Sequence, residues 1–445
     1  MNDRNNNLVT SSSLLPESFS TPQTDAALRI LKHLLHNFPG ATAFRLMGEK
    51  LDEIEITTPK FTLLLRDPAV LRKLVFGRSP LPLADAYING LIDIDGDLYA
   101  ALGLKQYFAS FDFSLGTRWA LLRDAWRLPS KPKNLPTTPF GSGDFAHKHS
   151  KSSDQAAISF HYDVSNSFYK LWLDKQMVYS CAYFHTLDDT LEQAQENKLD
   201  HICRKLRLKP GERFLDVGCG WGAMVCWAAS HYGVKAHGIT LSQKQYEYAQ
   251  ARIQAEGLSH LVTVELRDYR DLEGESVYDK ISSIGMFEHV GLANLPVYNS
   301  TIKRVLRPGG LFLNHGITHD EEGWQRTIDT EFINRYVFPD GELDTVSNIQ
   351  RRMEQTGFEI HDVEALRPHY ALTLRQWVSR LEDKREDALQ YVGESAYRVW
   401  RLYMAACALE FEYGGTGIYQ ILASKPGGPV PAVPLTRSDI YAAGS

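Results

Sequence analysis

A run of alternating glycines near the middle of the chain is spaced to leave room for a ligand at the end of a strand. The segment DVGCGWG (216–222) has a glycine at every second position from 218 onward and follows the apolar run Phe214–Val217. Glycine has no side chain to block backbone N–H groups, and it adopts the positive φ angles of a tight strand-to-helix turn. The pattern predicts a cofactor turn, and with Ala223 it also fits the looser dinucleotide pattern GxGxxG/A.

Two features favour S-adenosylmethionine over a nicotinamide dinucleotide at this turn. Asp216 starts the turn, which gives the string D-x-G-x-G-x-G and resembles class I methyltransferases. The next predicted strand ends in HGITLSQ (237–243), without the acidic residue that holds a nicotinamide dinucleotide ribose. That absence also departs from the commonest methyltransferase pattern, so ribose recognition must differ here. Asp268, after the third predicted strand, is the candidate to reach the adenine amino group.

A series of motifs around the turn closely resembles the cyclopropane-fatty-acid synthase family. Upstream, ISFHYDVSNSFYKLWLDKQMVYSCAYF (158–184) carries the family pattern HYDxxNxFYxxWLD followed by YSCAYF. Further matches follow in the family's order: LDVGCGWG (215–222), GITLSQ (238–243), DYRDL (268–272), GMFEHVG (285–291), LRPGG (306–310), FLNHGI (312–317), INRYVFPDGELD (333–344) and HYALTLRQW (369–377). The resemblance covers about residues 155 to 425.

The resemblance implies both a base and a set of cofactor contacts. In the family, a bound bicarbonate ion acts as the base, and carrying its cage over residue by residue gives Cys181, Glu288, His315, Ile317 and Tyr370. The residues implied to hold S-adenosylmethionine are Tyr179, Ser180, Asp216, Gly218, Gly220, Gly222, Thr240, Ser242, Gln245, Asp268 and Tyr269.

This cage suits a small protonated oxyanion. His315 and Tyr370 carry hydrogen-bond donors, and Glu288 can accept the ion's own proton or orient His315. A carboxylate beside an anion is otherwise repulsive, which favours bicarbonate over carbonate. Plainer interpretations stay open, in which Glu288 caps a helix and Cys181 is an inert buried thiol. A metal cluster around His315 is the least favoured interpretation.

Methylation of an alkene needs a dry pocket with aromatic walls. An alkene is a weak nucleophile, so the methyl sulfonium must be held in line with the double bond and away from water. The transfer leaves a carbocation, which π faces tolerate. Candidate wall residues, each of which could equally be plain core, are Tyr162, Phe168, Tyr169, Tyr179, Tyr183, Phe184 and Phe287.

Alternating strands and helices must position these residues. Strand-like runs occur at ERFLDVG (212–218), VKAHGIT (234–240), HLVTVEL (260–266), DKISSIG (279–285) and GLFLNHG (310–316). Helical stretches such as Gln243 to Glu256 lie between them, which predicts a doubly wound α/β sheet. The resemblance specifies a class I, Rossmann-like methyltransferase sheet of seven strands. A helix from Val392 to Phe411 either walls an acyl channel or packs on the sheet.

The chain is predicted to have a smaller domain before the catalytic one. Residues 1–24 are predicted to be a disordered tail, 25–128 an α+β domain, 129–154 a linker that contains His147 and His149, 155–430 the catalytic domain and 431–445 a tail. In the α+β domain, a helix is expected over Ala26–Phe38, strands over 51–57 and 61–67, and a helix over 67–77 capped by Asp67. The segment LADAYINGLIDIDGDL (83–98) resembles a string in long family members, which implies a lipid-handling or membrane-docking module or a homodimer contact.

Composition limits the remaining possibilities. The 445 residues carry a formal net charge of −6, which gives no support to a nucleic-acid binder. The five cysteines form no CxxC pair, which favours a reducing compartment without a disulfide framework or a structural metal. No stretch has the length of a membrane span or the pattern of a signal peptide. We therefore expect a cytoplasmic protein that meets lipid as a peripheral protein on the inner membrane face.

Three functions follow from the sequence. The leading one is transfer of a methylene carbon from S-adenosylmethionine to the cis double bond of a phospholipid acyl chain, which gives a cyclopropane. The second keeps the cofactor, but the carbocation shifts a hydride and loses a different proton, which gives a methyl- or methylene-branched chain. The third is a non-catalytic lipid-binding protein, which the intact set of Glu288, His315 and Tyr370 disfavours.

Overall fold

The chain folds as two units, residues 1–138 and 139–445. The computed structural model describes residues 21–35, 38, 42–46, 49–50, 59–77, 81–109, 114–132, 149–151, 153–154, 158, 165–323, 328–338, 341–427 and 433–441. The predicted strand over 51–57 and the HYD part of the upstream motif lie outside these residues.

The N-terminal unit is a small α+β domain, as predicted. Its sheet has the order β2-β1-β3-β4, with β1 and β3 parallel and the other pairs antiparallel. The strands are β1 (Thr42–Leu46), β2 (Glu49–Lys50), β3 (Phe61–Leu65) and β4 (Ile92–Gly96). The helices are α1 (Thr21–Leu35), α2 (Ala69–Gly77), α3 (Leu81–Ile88), α4 (Leu98–Ala109) and α5 (Leu115–Trp126).

The start of this unit differs from the sequence-based prediction at one point. Helix α1 begins at Thr21, so the last residues of the predicted tail are helical, and its buried side includes Ala26, Ala27 and Ile30. The cap of α2 is confirmed, because Asp67 Oδ1 accepts a hydrogen bond from the backbone N–H of Ala69 at 2.9 Å.

The C-terminal unit contains the predicted doubly wound sheet of seven strands. Their order is β10-β11-β9-β8-β5-β6-β7, and β11 is antiparallel to both of its neighbours. The strands are β5 (Arg213–Val217), β6 (Lys235–Thr240), β7 (Val262–Leu266), β8 (Tyr278–Ile284), β9 (Leu306–His319), β10 (Glu359–Ala365) and β11 (Thr416–Ser424). The chain order reverses between β5 and β8, and such a switch point opens a crevice at the carboxyl ends of the strands.

Helices cover both faces of this sheet. They are α6 (Asn166–Trp172), α7 (Leu191–Leu206), α8 (Ala223–Tyr232), α9 (Gln243–Ala255), α10 (Phe287–Val290), α11 (Leu295–Val305), α12 (Ile328–Tyr336), α13 (Val346–Thr356), α14 (Arg367–Asp383), α15 (Arg385–Tyr413) and α16 (Ser438–Tyr441). The covering explains the sequence of the central strand β5, in which Phe214, Leu215 and Val217 are all fully buried.

The long helix α15 packs against α6 and also lines a cavity. Gly393 breaks its helical geometry with φ 73° and ψ 171°. Beyond the break, the ring of Trp400 packs against Phe168 of α6 at 5.8 Å and against Trp172 at 5.6 Å. Tyr403, further along, lines a cavity described below.

Two segments predicted as linker and tail contain ordered contacts. The ring of His149 lies 3.5 Å from Asp154 and 3.6 Å from Glu342, and these carboxylates raise the pKa of His149 to about 9. In the predicted tail, α16 packs on α7, where Arg204 donates to the backbone oxygen of Ile440 at 2.9 Å. At these residues, both segments therefore belong to the C-terminal unit. Within the described chain, no helix is long and apolar enough to cross a membrane.

A close contact between strand β9 and helix α10 leaves no room for a side chain at one glycine. A Cβ added at Gly316 in β9 would lie 2.1 Å from the ring of Phe287. We expect Gly316→Ala to lower the free energy of unfolding by about 1–3 kcal/mol, because the ring must move within a packed core. The measurement is chemical denaturation. Gly415→Ala, whose methyl group would meet only the side chain of Glu410, is the control; equal stability of the two variants would contradict the prediction.

Candidate functional site

The glycine turn has the positive φ angles that its sequence predicts. Gly218, Gly220 and Gly222 have φ angles of 82°, 53° and 83°, in the left-handed region that favours glycine. The backbone N–H groups of Gly218 and Cys219 donate to the oxygen of Ile239 at 3.0 and 2.9 Å, which fixes the turn against β6. The turn then opens helix α8.

A cavity of about 110 Å³ lies against this turn, at the carboxyl ends of β5 and β8. We call it the cofactor cavity. Of the predicted cofactor residues, those that line it are Tyr179, Ser180, Asp216, Gly218, Gly220, Thr240, Gln245 and Tyr269. The structure does not bring the other three to its wall. Gly222 packs against Ala249, and Ser242 caps α9 by accepting from the N–H of Gln245.

Asp268 is held away from the cofactor cavity by an arginine. Its Oδ1 accepts from the N–H and the Nε of Arg270 at 2.9 and 2.8 Å, and its Oδ2 accepts from Nη2 at 2.6 Å. Arg270 also donates to Asp154 at 2.8 Å. Asp268 therefore anchors a local ion-pair network here, and the neighbouring Tyr269 is the residue of this motif at the cavity wall.

A threonine–glutamine pair stands where many dinucleotide sites have an acidic residue. Thr240 ends β6, and its hydroxyl donates to Gln245 Oε1 at 2.8 Å. Both side chains line the cofactor cavity and are nearly fully buried. An amide and a hydroxyl offer both donors and acceptors, so this pair can bind ribose hydroxyls without a carboxylate.

Asp216 and Lys198 place opposite charges in the cofactor cavity. Asp216 accepts a hydrogen bond from Ser282 Oγ at 2.6 Å, and burial raises its pKa to about 6. Lys198 of α7 is 1% exposed and donates from Nζ to Ser180 Oγ at 2.9 Å. Burial lowers the pKa of Lys198 to about 8.

Lys198 was not among the cofactor residues predicted from the sequence. A lysine on an amphipathic helix is usually exposed to solvent, so only the spacing of apolar residues along α7 could have indicated that this one is buried. Lys198 is spaced four residues from each of the apolar Ala194 and Ile202, which are fully buried. That spacing is the signal that places Lys198 on the inward side of the helix.

A second cavity of about 280 Å³ adjoins the cofactor cavity. The two share Tyr179, Ser180, Ile284, Gly285 and His289 as wall residues. All five residues of the predicted cage line the second cavity: Cys181, Glu288, His315, Ile317 and Tyr370. They come from the loop before α7, from α10, from β9 (which carries both His315 and Ile317) and from α14, so the fold brings together residues that are up to 189 positions apart in sequence.

Glu288 is the most strongly fixed member of this group. Its Oε1 accepts from the backbone N–H of Ile317 at 2.8 Å, so that N–H is already engaged in the ligand-free chain. Burial raises the pKa of Glu288 to about 7. Among the described residues, none is within hydrogen-bonding reach of the other carboxylate oxygen, Oε2. This oxygen is therefore a buried polar atom that a ligand can satisfy.

His315 offers a second such atom. Its Nδ1 lies 3.4 Å from Gln420 Nε2 in β11, whereas its Nε2 is buried without a hydrogen-bond partner in the described part of the chain. Burial keeps the pKa of His315 well below its ordinary value, so the ring is neutral at pH 7. A neutral imidazole with one nitrogen held leaves the other for a ligand.

Cys181 and Tyr370 remain protonated in this cavity. Burial raises the pKa of the Cys181 thiol far above its usual range, and its Sγ lies 3.3 Å from the backbone oxygen of Ala182. The same effect keeps the Tyr370 hydroxyl protonated. Tyr370 is thus a hydrogen-bond donor, and Cys181 behaves as a buried thiol and not as a nucleophile.

The aromatic wall differs from the one expected from the sequence. Among the predicted wall residues, Tyr179 lines the cavities, whereas Phe168 and Tyr169 are fully buried away from them, Tyr183 stacks on His369 and Phe287 packs beneath Gly316. Phe184 is not at the wall, and Tyr162 lies outside the described residues. The remaining aromatic rings at the second cavity are those of Phe338, Tyr370, Tyr403 and Phe411.

Comparison with known proteins identifies relatives that match more than half of this chain. Residues 149–421 match the family model described as mycolic acid cyclopropane synthetase. A probable fatty acid methyltransferase of Pseudomonas putida is 42% identical over 387 residues, which cover 86% of this chain and 92% of that protein. The cyclopropane-fatty-acyl-phospholipid synthase of Escherichia coli strain K12 is 40% identical over 268 residues, or 60% of this chain and 66% of that one.

A solved structure extends the likeness to three dimensions. The mycolic acid cyclopropane synthase CmaA1, complexed with SAH and CTAB, superposes with a TM-score of 0.57 at 33% sequence identity. The alignment covers 61% of this chain and 98% of that structure.

The shifted pKa of Glu288 predicts a pH dependence of stability. The folded protein keeps this proton up to about pH 7, whereas the unfolded chain releases it near 4.5, so stability from this group is lost as the pH rises between these values. We expect the unfolding free energy of the wild type to fall by roughly 3 kcal/mol relative to Glu288→Gln between pH 4 and pH 8. Denaturant titrations across this range measure it, and parallel curves would refute it.

Lys198 is expected to contribute to cofactor binding. Lys198→Met keeps most of the side-chain volume but removes the ammonium group that can pair with the carboxylate of the cofactor. We expect a rise of about tenfold or more in the dissociation constant of S-adenosylmethionine, measured by calorimetry. Lys205→Met, in the same helix but paired with Glu364 and Asp362 outside the cavity, is the matched control. Unchanged affinity in Lys198→Met would rule out the role.

Proposed function

The chain belongs to the mycolic acid cyclopropane synthetase family of S-adenosylmethionine-dependent fatty-acyl methyltransferases, and from this premise we propose its reaction. It transfers a methylene carbon from S-adenosylmethionine to the cis double bond of an unsaturated phospholipid acyl chain and so forms a cyclopropane. The observation that carries the proposal is that the cofactor cavity adjoins the cavity lined by all five cage residues.

The shared wall of the two cavities supports a direct methyl transfer. S-Adenosylmethionine supplies an electrophilic methyl sulfonium. Tyr179 and Gly285 belong to both cavities, so a methyl donor held in the cofactor cavity would lie next to the second cavity. The second cavity is lined mainly by apolar and aromatic side chains, such as Phe338 and Leu374, which exclude water from the double bond. Tyrosine rings beside the reacting carbons stabilise positive charge.

The cage residues suit a bicarbonate ion as the base. Two buried polar atoms, Glu288 Oε2 and His315 Nε2, lack partners among the described residues, and both side chains line the same cavity. The Tyr370 hydroxyl adds a donor. Because the pKa of Glu288 is about 7, this carboxyl can share a proton with an adjacent anion instead of repelling it. A bicarbonate ion held there would supply a base for the ring-closing proton.

The hydrogen bond donated by Ile317 suggests how this residue contributes to the site. Its N–H donates to Glu288, so Ile317 acts here by positioning the carboxylate. The Cys181 thiol is protonated and buried, so its contribution is the shape and polarity of the wall. Both residues therefore support the anion site indirectly in this state.

The alternative product is a methyl- or methylene-branched chain. The Pseudomonas putida relative, named a probable fatty acid methyltransferase, matches a larger share of this chain than the Escherichia coli cyclopropane synthase does. The same cavities and cage could serve both outcomes, because both start from the same carbocation: proton loss from the added methyl group closes the ring, whereas a hydride shift followed by loss of a different proton gives a branched unsaturated chain. We further propose that the N-terminal unit handles lipid by peripheral contact with a membrane.

Product structure separates these functions. We expect incubation with methyl-labelled S-adenosylmethionine and vesicles of defined unsaturated phospholipids to give cyclopropane lipids, whose ring protons resonate far upfield of branched-methyl signals in NMR spectra. Branched products would establish the alternative, and no labelled lipid would overturn both.

Glu288 is the sharpest point at which to test the cage. We expect Glu288→Gln to reduce turnover by at least about 100-fold while the affinity for S-adenosylmethionine stays within about twofold, since the amide can keep the bond to Ile317 but cannot share a proton. Glu322→Gln, an exposed change nearby, is the control. Full activity of Glu288→Gln would remove Glu288 from the mechanism.

A further inference from the structure

One side of helix α5 in the N-terminal unit exposes large apolar side chains to solvent. Leu115, Trp119 and Trp126 are 76%, 73% and 68% exposed. At about 100° per residue, these three positions fall within an arc of roughly 40° on the helix surface. Phe76 of α2, 42% exposed, extends the patch, with its ring 5.7 Å from that of Trp126. Contiguous exposed aromatic surface marks an interaction site.

The opposite side of α5 holds this orientation in place. Asp124 is fully buried, and its two carboxylate oxygens accept from Arg29 of α1 at 3.0 and 3.1 Å. Leu121 and Ala125 pack beside it in the core of the unit. Burial alone would raise the pKa of Asp124, but the hydrogen bonds from the arginines hold it below its usual value. Rotating the helix to hide its tryptophans would break this anchor.

Arginines surround the exposed rings. Arg123 and Arg127 each touch Asp124 at 3.3 Å, yet their side chains stay 60% and 53% exposed. Arg118 is also exposed, and Arg72 stacks over the ring of Trp126 at 5.2 Å. Because Arg29 already balances Asp124, the surface is locally positive on a chain whose net charge is −6. We call this surface, made by α5 with Phe76 and Arg72, the Trp/Arg face.

The chemistry of the Trp/Arg face matches one partner. Indole rings favour the boundary between lipid headgroups and acyl chains, and arginine keeps its charge at the phosphates while its stem lies on apolar surface. A short helix with an aromatic stripe and a basic rim is the pattern of a helix that lies in the membrane interface.

We propose that the Trp/Arg face docks the protein on the surface of an anionic phospholipid bilayer. The proposal rests on the proposed function in one respect, since it deepens the expectation of peripheral membrane contact by naming the surface and the lipid charge. Docking brings the enzyme to the bilayer in which its substrate chains lie.

The test compares binding of the full-length protein to vesicles. The probes are vesicles of pure phosphatidylcholine and vesicles that also contain phosphatidylglycerol, assayed by flotation. We expect Trp119→Ala with Trp126→Ala to weaken partitioning onto the anionic vesicles by about tenfold or more, since each ring removes a large apolar anchor. Leu187→Ala with Tyr391→Ala, which removes exposed apolar side chains of the catalytic unit, is the matched control and should bind as the wild type does.

A charge variant tests the basic rim. We expect Arg118→Gln, which replaces an exposed arginine outside the Asp124 anchor, to weaken binding to anionic vesicles severalfold without changing the melting temperature. Equal binding of the wild type to neutral and anionic vesicles would overturn the anionic part of the proposal. Wild-type binding by the double tryptophan variant would overturn the whole proposal, as would a loss of dimer by that variant without a loss of vesicle binding, which would assign the face to a second copy of the chain.

Activity in two lipid forms separates this proposal from the proposed reaction. We expect the double tryptophan variant to lose most turnover of vesicle lipid but to stay within about twofold of the wild type on the same phospholipid in detergent micelles. If the wild type modifies no lipid in either form but the variant still loses vesicle binding, the proposed reaction fails and the docking surface stands. If the variant loses turnover equally in both forms while still binding vesicles, the docking surface fails.

Discussion

The hydrogen bond between Glu288 and the backbone of Ile317 is the contact on which the arrangement of the second cavity depends. It joins the short helix after β8 to the neighbouring strand β9 at 2.8 Å, and it turns one carboxylate oxygen toward the cavity without a partner among the described residues. Burial makes this group costly to ionise and raises its pKa to about 7, so it can gain or lose a proton near neutral pH. His315 is two residues away on the same strand, so the same contact also sets the spacing of the two polar groups.

The two cavities differ in the charged side chains that line them. The cofactor cavity contains Asp216 and Lys198, opposite charges that a zwitterionic amino-acid moiety can match. The second cavity is lined mainly by apolar and aromatic side chains, and its ionisable lining residues include Glu288, His315, His319, Glu321 and Glu410. We therefore expect a charged methyl donor to be held by polar groups, next to a mainly apolar second cavity. This division suits a reaction in which a cationic intermediate must avoid water.

Local sequence signals predicted the parts of the site that depend on neighbours along the chain. The glycine turn, the order of strands and helices and the fold class followed from spacing and from family motifs, because short-range sterics and burial determine them. The five cage residues were found only through the resemblance, since they meet through tertiary folding. Asp268 accepts hydrogen bonds from Arg270 through both of its oxygens, and its contact with the adenine stays a prediction. Lys198 was not predicted because a lysine on a helix is usually exposed, and its spacing from two apolar residues is a weak signal on its own.

The contact between Phe287 and Gly316 has a consequence for how such a chain can evolve. The two positions lie on different elements, yet the ring of Phe287 fills the space that any side chain at 316 would need. A larger residue at 316 is compatible with this packing only if position 287 becomes smaller in the same lineage. Since Glu288 follows Phe287 and His315 precedes Gly316, drift at either position would also shift a polar group of the second cavity. Selection on the chemistry therefore extends to two apolar positions that make no chemical contribution of their own.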